Sequence, residues 1–239
     1  MTLALPDAPL LPPPARGLIL VRGPDACLTV GLLLALRTVG EDRTLLVVDG
    51  ANAFDPYLVG HLARCLHRSS RWLLERIRVS RVFTAYQLEA LLEERLLRIA
   101  AAGGLGAAVG SPGTAAGDPG AAAGGLNTAT GGPSALLLSG PLDVLLDENL
   151  PRGEAVRVFR RVLAALDRLL ALPWTVVAAC PNLAAPPGRE WFLGRLEERA
   201  ARRVRVTVGE EGWRIREEGS GREALWQPAI PVLHARRWW

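Results

Sequence analysis

Lysine is absent from this chain: all 28 basic residues among its 239 are arginine. An arginine- and alanine-rich sequence of this kind reflects a genome-wide compositional bias, so arginine counts alone say little about ligands. The net charge of +4 permits an acidic partner without requiring one. Cysteine is scarce as well. Cys27, Cys65 and Cys180 lie far apart, odd in number and without a C-x-x-C pair, which excludes a disulfide framework and a ribbon-type zinc site. A reducing cytoplasm fits that usage. The N-terminus lacks the basic start and long apolar stretch of a signal peptide, and the apolar run over residues 18–36 is broken by Arg22 and Asp25. No membrane span or membrane partner is expected.

What is present suits a globular domain: 49% of the residues are apolar, enough for one large core. Residues 1–16 are Pro-rich and aperiodic and read as an extended arm. Short continuous apolar runs at residues 18–21, 45–48, 77–79, 135–138 and 176–179 read as buried strands. Between them, residues 28–36, 56–67, 85–102 and 153–172 carry helical patterns. This alternation predicts a parallel sheet covered on both faces, with right-handed crossovers. Residues 203–208 and 212–217 then alternate apolar and polar side chains around a turn, predicting an antiparallel hairpin at the sheet edge. The core domain spans 17–233. It is interrupted at 101–134 by an Ala/Gly-rich stretch whose only charge is Asp118, read as a disordered insertion. Residues 234–239 form a basic-aromatic tail.

Four segments, in this order and spacing, resemble the RecA/Rad51 recombinase family, and the likeness runs from about Gly17 to Pro231. Gly23-Pro24-Asp25-Ala26-Cys27-Leu28-Thr29-Val30 lies between the first strand and a helix, where the family keeps its phosphate-binding loop. Asp49-Gly50-Ala51-Asn52-Ala53-Phe54-Asp55-Pro56 looks like the family's Asp-x-Glu segment. Residues 76–88 look like its strand ending in Arg-x-Phe, here Arg81-Val82-Phe83, followed by Gln87. Residues 135–140 stand where its Walker B strand belongs, and Arg152-Gly153-Glu154 precedes the next helix. The resemblance implies a RecA-like, doubly wound α/β fold: a mostly parallel sheet with helices on both faces and a C-terminal antiparallel hairpin.

The same resemblance implies that ATP chemistry is lost. A phosphate loop needs glycine to let N–H groups curl around phosphates, a Lys for the β and γ oxygens, and a Ser/Thr hydroxyl for Mg²⁺. Gly23 and Pro24 open the loop, but Leu28 stands at the second glycine, Thr29 at the lysine and Val30 at the magnesium-binding hydroxyl. Ala51 occupies the position of the water-activating Glu, and Gly140 that of an Asp near Mg²⁺. Without cation, metal ligands and base, the electrostatic stabilisation of phosphoryl transfer is gone. The expectation is therefore a pseudo-ATPase with no cofactor, ATP binding without turnover being the one residual capacity left open. The implied role is a binding or regulatory factor in DNA recombination or repair. Its expected partners are a recombinase, a polymerase or a second copy, with DNA as a further ligand. Two alternatives stand beside it: an unconventional ATPase holding metal through Asp49, Asp55 or Asp143, and a structural interaction module unrelated to DNA.

Three other constellations bring chemistry-bearing side chains together. Asp143, Asp147 and Glu148 crowd one loop, a pattern open to Mg²⁺ binding but read as acids preceding a helix N-terminus, where the dipole favours them. His61 and Cys65, four apart on a helix with His67 beyond, put two metal-ligand types on one face but lack a fourth ligand. No metal site is expected. Arg195, Arg199, Arg202, Arg203 and Arg205 interleave with acids and read as a salt-bridged face. Candidate DNA or partner contacts are Arg202 and Arg203 together with Arg236, Arg237, Trp238 and Trp239, whose pairing of cations with large apolar rings suits binding hot spots.

Overall fold

The computed structural model describes residues 16–41, 43–101 and 135–227. The arm apart from Arg16, nearly all of the 101–134 insertion, and the tail with Arg236, Arg237, Trp238 and Trp239 lie outside the described residues. Strand β1 (Gly17–Gly23) leads into helix α1 (Ala26–Leu36), and β2 (Leu45–Asp49) into α2 (Pro56–Cys65) and α3 (Ser70–Leu74). Strand β3 (Ile77–Arg81) is followed by α4 (Ala85–Ala90), a π-helical segment (Leu91–Leu96) and α5 (Leu97–Ala101). The second half runs β4 (Ala135–Ser139), α6 (Arg152–Leu170), β5 (Thr175–Pro181), α7 (Trp191–Glu197), β6 (Ala200–Gly209), β7 (Gly212–Glu218) and β8 (Glu223–Trp226).

The eight strands form one mixed sheet in the order β3-β2-β4-β5-β1-β6-β7-β8. All neighbours from β3 to β6 pair in parallel, and β7 and β8 are antiparallel additions. Strands β2, β4 and β5 are buried at every position, as parallel strands covered on both faces must be. One face packs Ile19, Val21, Val47, Leu137 and Val177 against α1, α2 and α3. The other packs Leu20, Val48, Leu138 and Ala178 against α4, the π segment, α6 and α7.

Local chemistry explains the helices. The α1 sequence has no charged residue and only Leu28 is not buried, the signature of a helix enclosed on all sides. Asp55 caps α2 by accepting from the Tyr57 N–H at 2.8 Å, with Pro56 at the first helical position. In α6, Ala155, Val158, Phe159, Val162, Leu163, Leu166 and Leu169 recur at three- and four-residue spacing and are all buried. The single helix expected over 85–102 is instead three pieces. Its buried leucines, Leu88, Leu92 and Leu96, repeat every four residues, more than one α-helical turn, and the wider π turn keeps them on one face.

Candidate functional site

The loops following β1, β2, β4 and β5 gather at the carboxyl edge of the sheet. In open α/β sheets ligands bind there, where neighbouring strands send their connections in opposite directions.

The β1–α1 connection is short. Helix α1 begins at Ala26, after only Pro24 and Asp25. The Cys27 N–H donates to the Pro24 carbonyl at 2.8 Å and the Leu28 N–H to the Asp25 carbonyl at 3.0 Å. These amides close a turn on themselves. Thr29 and Val30 already lie in the helix, 3% and 1% exposed. Gly23 has φ +150°, and a Cβ there would collide with the carbonyl oxygen of Val206 on β6. Its glycine character is therefore required by strand packing, whatever else the loop does. Deeper in α1, a Cβ on Gly31 would stand 2.7 Å from the Cβ of Ala179, so the helix sits directly on β5.

The other loops are stitched together through their backbones. The Gly50 and Ala51 N–H groups both donate to the Ser139 carbonyl, at 2.8 and 3.1 Å, the Gly140 N–H donates to Ala179 at 2.8 Å, and the Asn182 N–H donates to Gly23 at 2.7 Å. Gly140 has φ +60°, and a Cβ on it would stand 2.5 Å from the Cβ of Ala51 and 2.9 Å from the Asp143 carboxyl. The two positions without a carboxylate thus lie against each other.

Asp49, completely buried, is a structural carboxylate. It accepts from the Ala53 N–H at 3.0 Å and the Phe54 N–H at 2.9 Å, and Arg81 lies 3.7 Å away. Its bonds shape the turn that carries Asn52 at φ +52°. In the loop after β4, Asp147 accepts from the backbone and side-chain amides of Asn149 at 2.9 and 3.0 Å, forming a turn ahead of α6. Arg189 was missed in the sequence. It is 3% exposed and donates to the carbonyls of Leu145 at 3.1 Å, Asp147 at 2.7 Å and Leu150. One guanidinium thus holds the whole loop. No local motif signals this, because the acceptors lie about forty positions away in the chain.

His61 and Cys65 are both buried on α2 with the Cys65 Sγ 3.9 Å from the His61 Nε2, whereas His67 is exposed at φ +53°. Burial, then the nearby Arg64 charge, lowers the His61 pKa, and burial raises that of Cys65. Among the described residues no group of three or more His, Cys, Asp and Glu side chains is arranged to hold a metal ion, and no helix is long and apolar enough to cross a membrane.

The basic run is spent largely on ion pairs. Arg199 meets Asp167 at 2.7 Å and Arg195 meets Glu198 at 2.8 Å. Arg202 pairs with Glu217, Arg203 lies 4.0 Å from Glu218, and Arg205 lies 3.1 Å from Glu218. Arg22, at the end of β1, reaches both Glu197 and Glu218. Of the candidate contact arginines, Arg202 is half-buried in its pair and Arg203 is exposed. Compared with known proteins, the chain matches no family model, and a search of curated proteins gave no significant match.

Proposed function

We propose that this chain is a RecA/Rad51-like domain that has lost ATP hydrolysis and serves as a binding or regulatory factor in DNA recombination or repair. The observation that carries the loss of chemistry is the burial of Thr29. The position that resembles the family's phosphate-binding lysine points into the α1 core at 3% exposure, where it reaches no phosphate. The closure of Ala51 on Gly140 and the self-satisfied Cys27 and Leu28 amides support the same reading. A phosphate site needs backbone donors aimed outward and a metal needs carboxylates with room to ligate. This sheet edge spends the donors named above on its own carbonyls. The parallel strand order, with α1 directly after β1 and the antiparallel β7 and β8 appended beyond β6, supports the RecA-like form of the fold.

A domain without turnover acts through contacts. The recombination or repair setting rests on the sequence resemblance, and the partner is a recombinase, a polymerase or another copy of the chain. The test is affinity capture from the source cells, with and without DNA damage, using the full chain and a version lacking residues 236–239. Recovery of a recombinase or polymerase that depends on the tail supports the reading. Recovery only of proteins unconnected with DNA favours a structural module instead.

A further inference from the structure

The C-terminal basic run is largely neutralised, but the arginines at the corner of α2, α3 and β3 are not. Between residues 64 and 81 stand six arginines and one acid, Glu75. Arg71 pairs with Glu75 at 2.9 Å, and Arg81 lies 3.7 Å from Asp49. Arg64, Arg68, Arg76 and Arg78 have no carboxylate within ion-pair distance among the described residues. The fold holds three of them through backbone carbonyls instead. Arg68 Nη1 donates to Val39 at 2.6 Å, Arg76 donates from Nε to Glu41 and from Nη1 to Trp72, each at 3.2 Å, and Arg78 Nη1 donates to Glu75 at 2.9 Å. The guanidiniums of Arg68 and Arg76 also lie over the Trp72 ring, 5.4 and 4.2 Å from its centroid. A carbonyl occupies a donor without cancelling its charge, so these side chains are fixed in place and still cationic. Arg68 and Arg78 keep the Nε–Nη2 edge free of bonds to described residues. That edge receives a carboxylate through two parallel N–H donors.

We propose that this corner docks an acidic segment of a partner protein, its carboxylates taken by Arg64, Arg68 and Arg78. That the ligand is a protein rests on the reading above of the chain as a binding factor; the location and the charge do not. Charge complementarity selects an acidic partner, and side chains already ordered by the fold lose little freedom on binding it. The chain's own remaining segments do not supply the complement: residues 1–15 carry only Asp7, residues 102–134 only Asp118, and residues 228–239 no acid. A nucleic acid strand would need a ring on which to stack a base, and the half-buried Trp72 already carries two guanidiniums. A bilayer would need an apolar face to enter, and the exposed apolar residues here are Leu74 and Val79, at 37% and 39%.

The experiment is fluorescence anisotropy of a labelled oligoglutamate with the 239-residue chain, at about 50 and about 200 mM NaCl. Affinity should fall with salt. The Arg64→Glu/Arg78→Glu variant should bind at least about tenfold more weakly, because two charge-assisted contacts are reversed. Arg214→Glu/Arg216→Glu, of equal charge change on β7, should stay within about threefold. Should the first variant fail to fold, phenylglyoxal labelling of the wild-type protein read by mass spectrometry replaces it. Oligoglutamate should protect Arg64, Arg68 and Arg78 and leave Arg214 and Arg216 reactive. Absence of binding, equal losses in the two variants, or protection no stronger at the corner than on β7 overturns the site. Tighter binding of oligothymidylate or of phosphatidylglycerol vesicles, lost in Arg64→Glu/Arg78→Glu, overturns the assignment of a protein ligand. None of these outcomes bears on ATP turnover or on tail-dependent capture, so the proposed function stands or falls separately.

Discussion

Ala51 and Gly140 close against each other across the carboxyl ends of β2 and β4, so that a Cβ on Gly140 would stand 2.5 Å from that of Ala51. The proposed RecA/Rad51 resemblance would put a catalytic Glu and a magnesium-associated Asp at these two positions. In this chain they are packing neighbours. Introducing a carboxylate is therefore expected to damage the fold before it supports any chemistry. Gly140→Asp should destabilise by about 3 kcal/mol, combining strain at positive φ with overpacking, as read from urea denaturation. Unchanged stability would show that the loops yield easily.

Thr29→Lys tests the loop in the same way. A lysine at this enclosed position of α1 would enter a helix whose residues 26–36 carry no charge, with Asp25 at its N-cap one turn away. Burying an ammonium in the packed side of that helix should cost about 3 kcal/mol, seen as a large loss of melting temperature, with no gain in ATP affinity. A stable variant that binds ATP would mean the helix N-terminus can reopen into a phosphate loop.

Much of this architecture was legible because parallel strands announce themselves. Residues 45–48, 135–138 and 176–179 are continuous apolar runs with no competing helical period. The missed elements are those whose stability comes from elsewhere in the chain. Helix α7 contains Gly194 in its seven residues and depends on docking Phe192 and Leu196. Strand β8 has only four residues and is held by pairing with β7, while α3 is a single turn and a half started by the Ser69 cap. For the site, the substitutions at Thr29, Ala51 and Gly140 were visible, but their packing consequences were not. Of the acids interleaved with the arginine run, Glu198 does pair with Arg195, but most of the neutralising carboxylates lie elsewhere. Asp167 comes from α6 and Glu217 and Glu218 from β7, positions that only the folded packing and the β6–β7 register reveal.

Arg189 holds the loop after β4 by three carbonyls, and its loss should loosen that loop specifically. Arg189→Met keeps much of the buried volume while stranding the carbonyls of Leu145, Asp147 and Leu150. The expected cost is about 3 kcal/mol, together with faster amide exchange over residues 142–150. Exchange unchanged in that segment would contradict the role.

Stability should also depend on pH through His61. Burial lowers its pKa in the folded protein, so below an unfolded value of about 6.5 the unfolded chain takes up a proton that the native state resists. The contribution is fully present above that value and is lost as pH falls toward the lowered folded pKa. Denaturation midpoints should therefore fall as the pH is taken below about 6.5, and His61→Gln should reduce that slope. An identical slope in the variant would assign the dependence to other groups.

The most direct test of the whole account is magnesium-dependent ATP turnover by the purified 239-residue chain, with and without single-stranded DNA. Turnover indistinguishable from background in both conditions is the predicted result. Turnover that needs magnesium and disappears in Asp49→Asn or Asp143→Asn would contradict it and identify the protein as an unconventional ATPase.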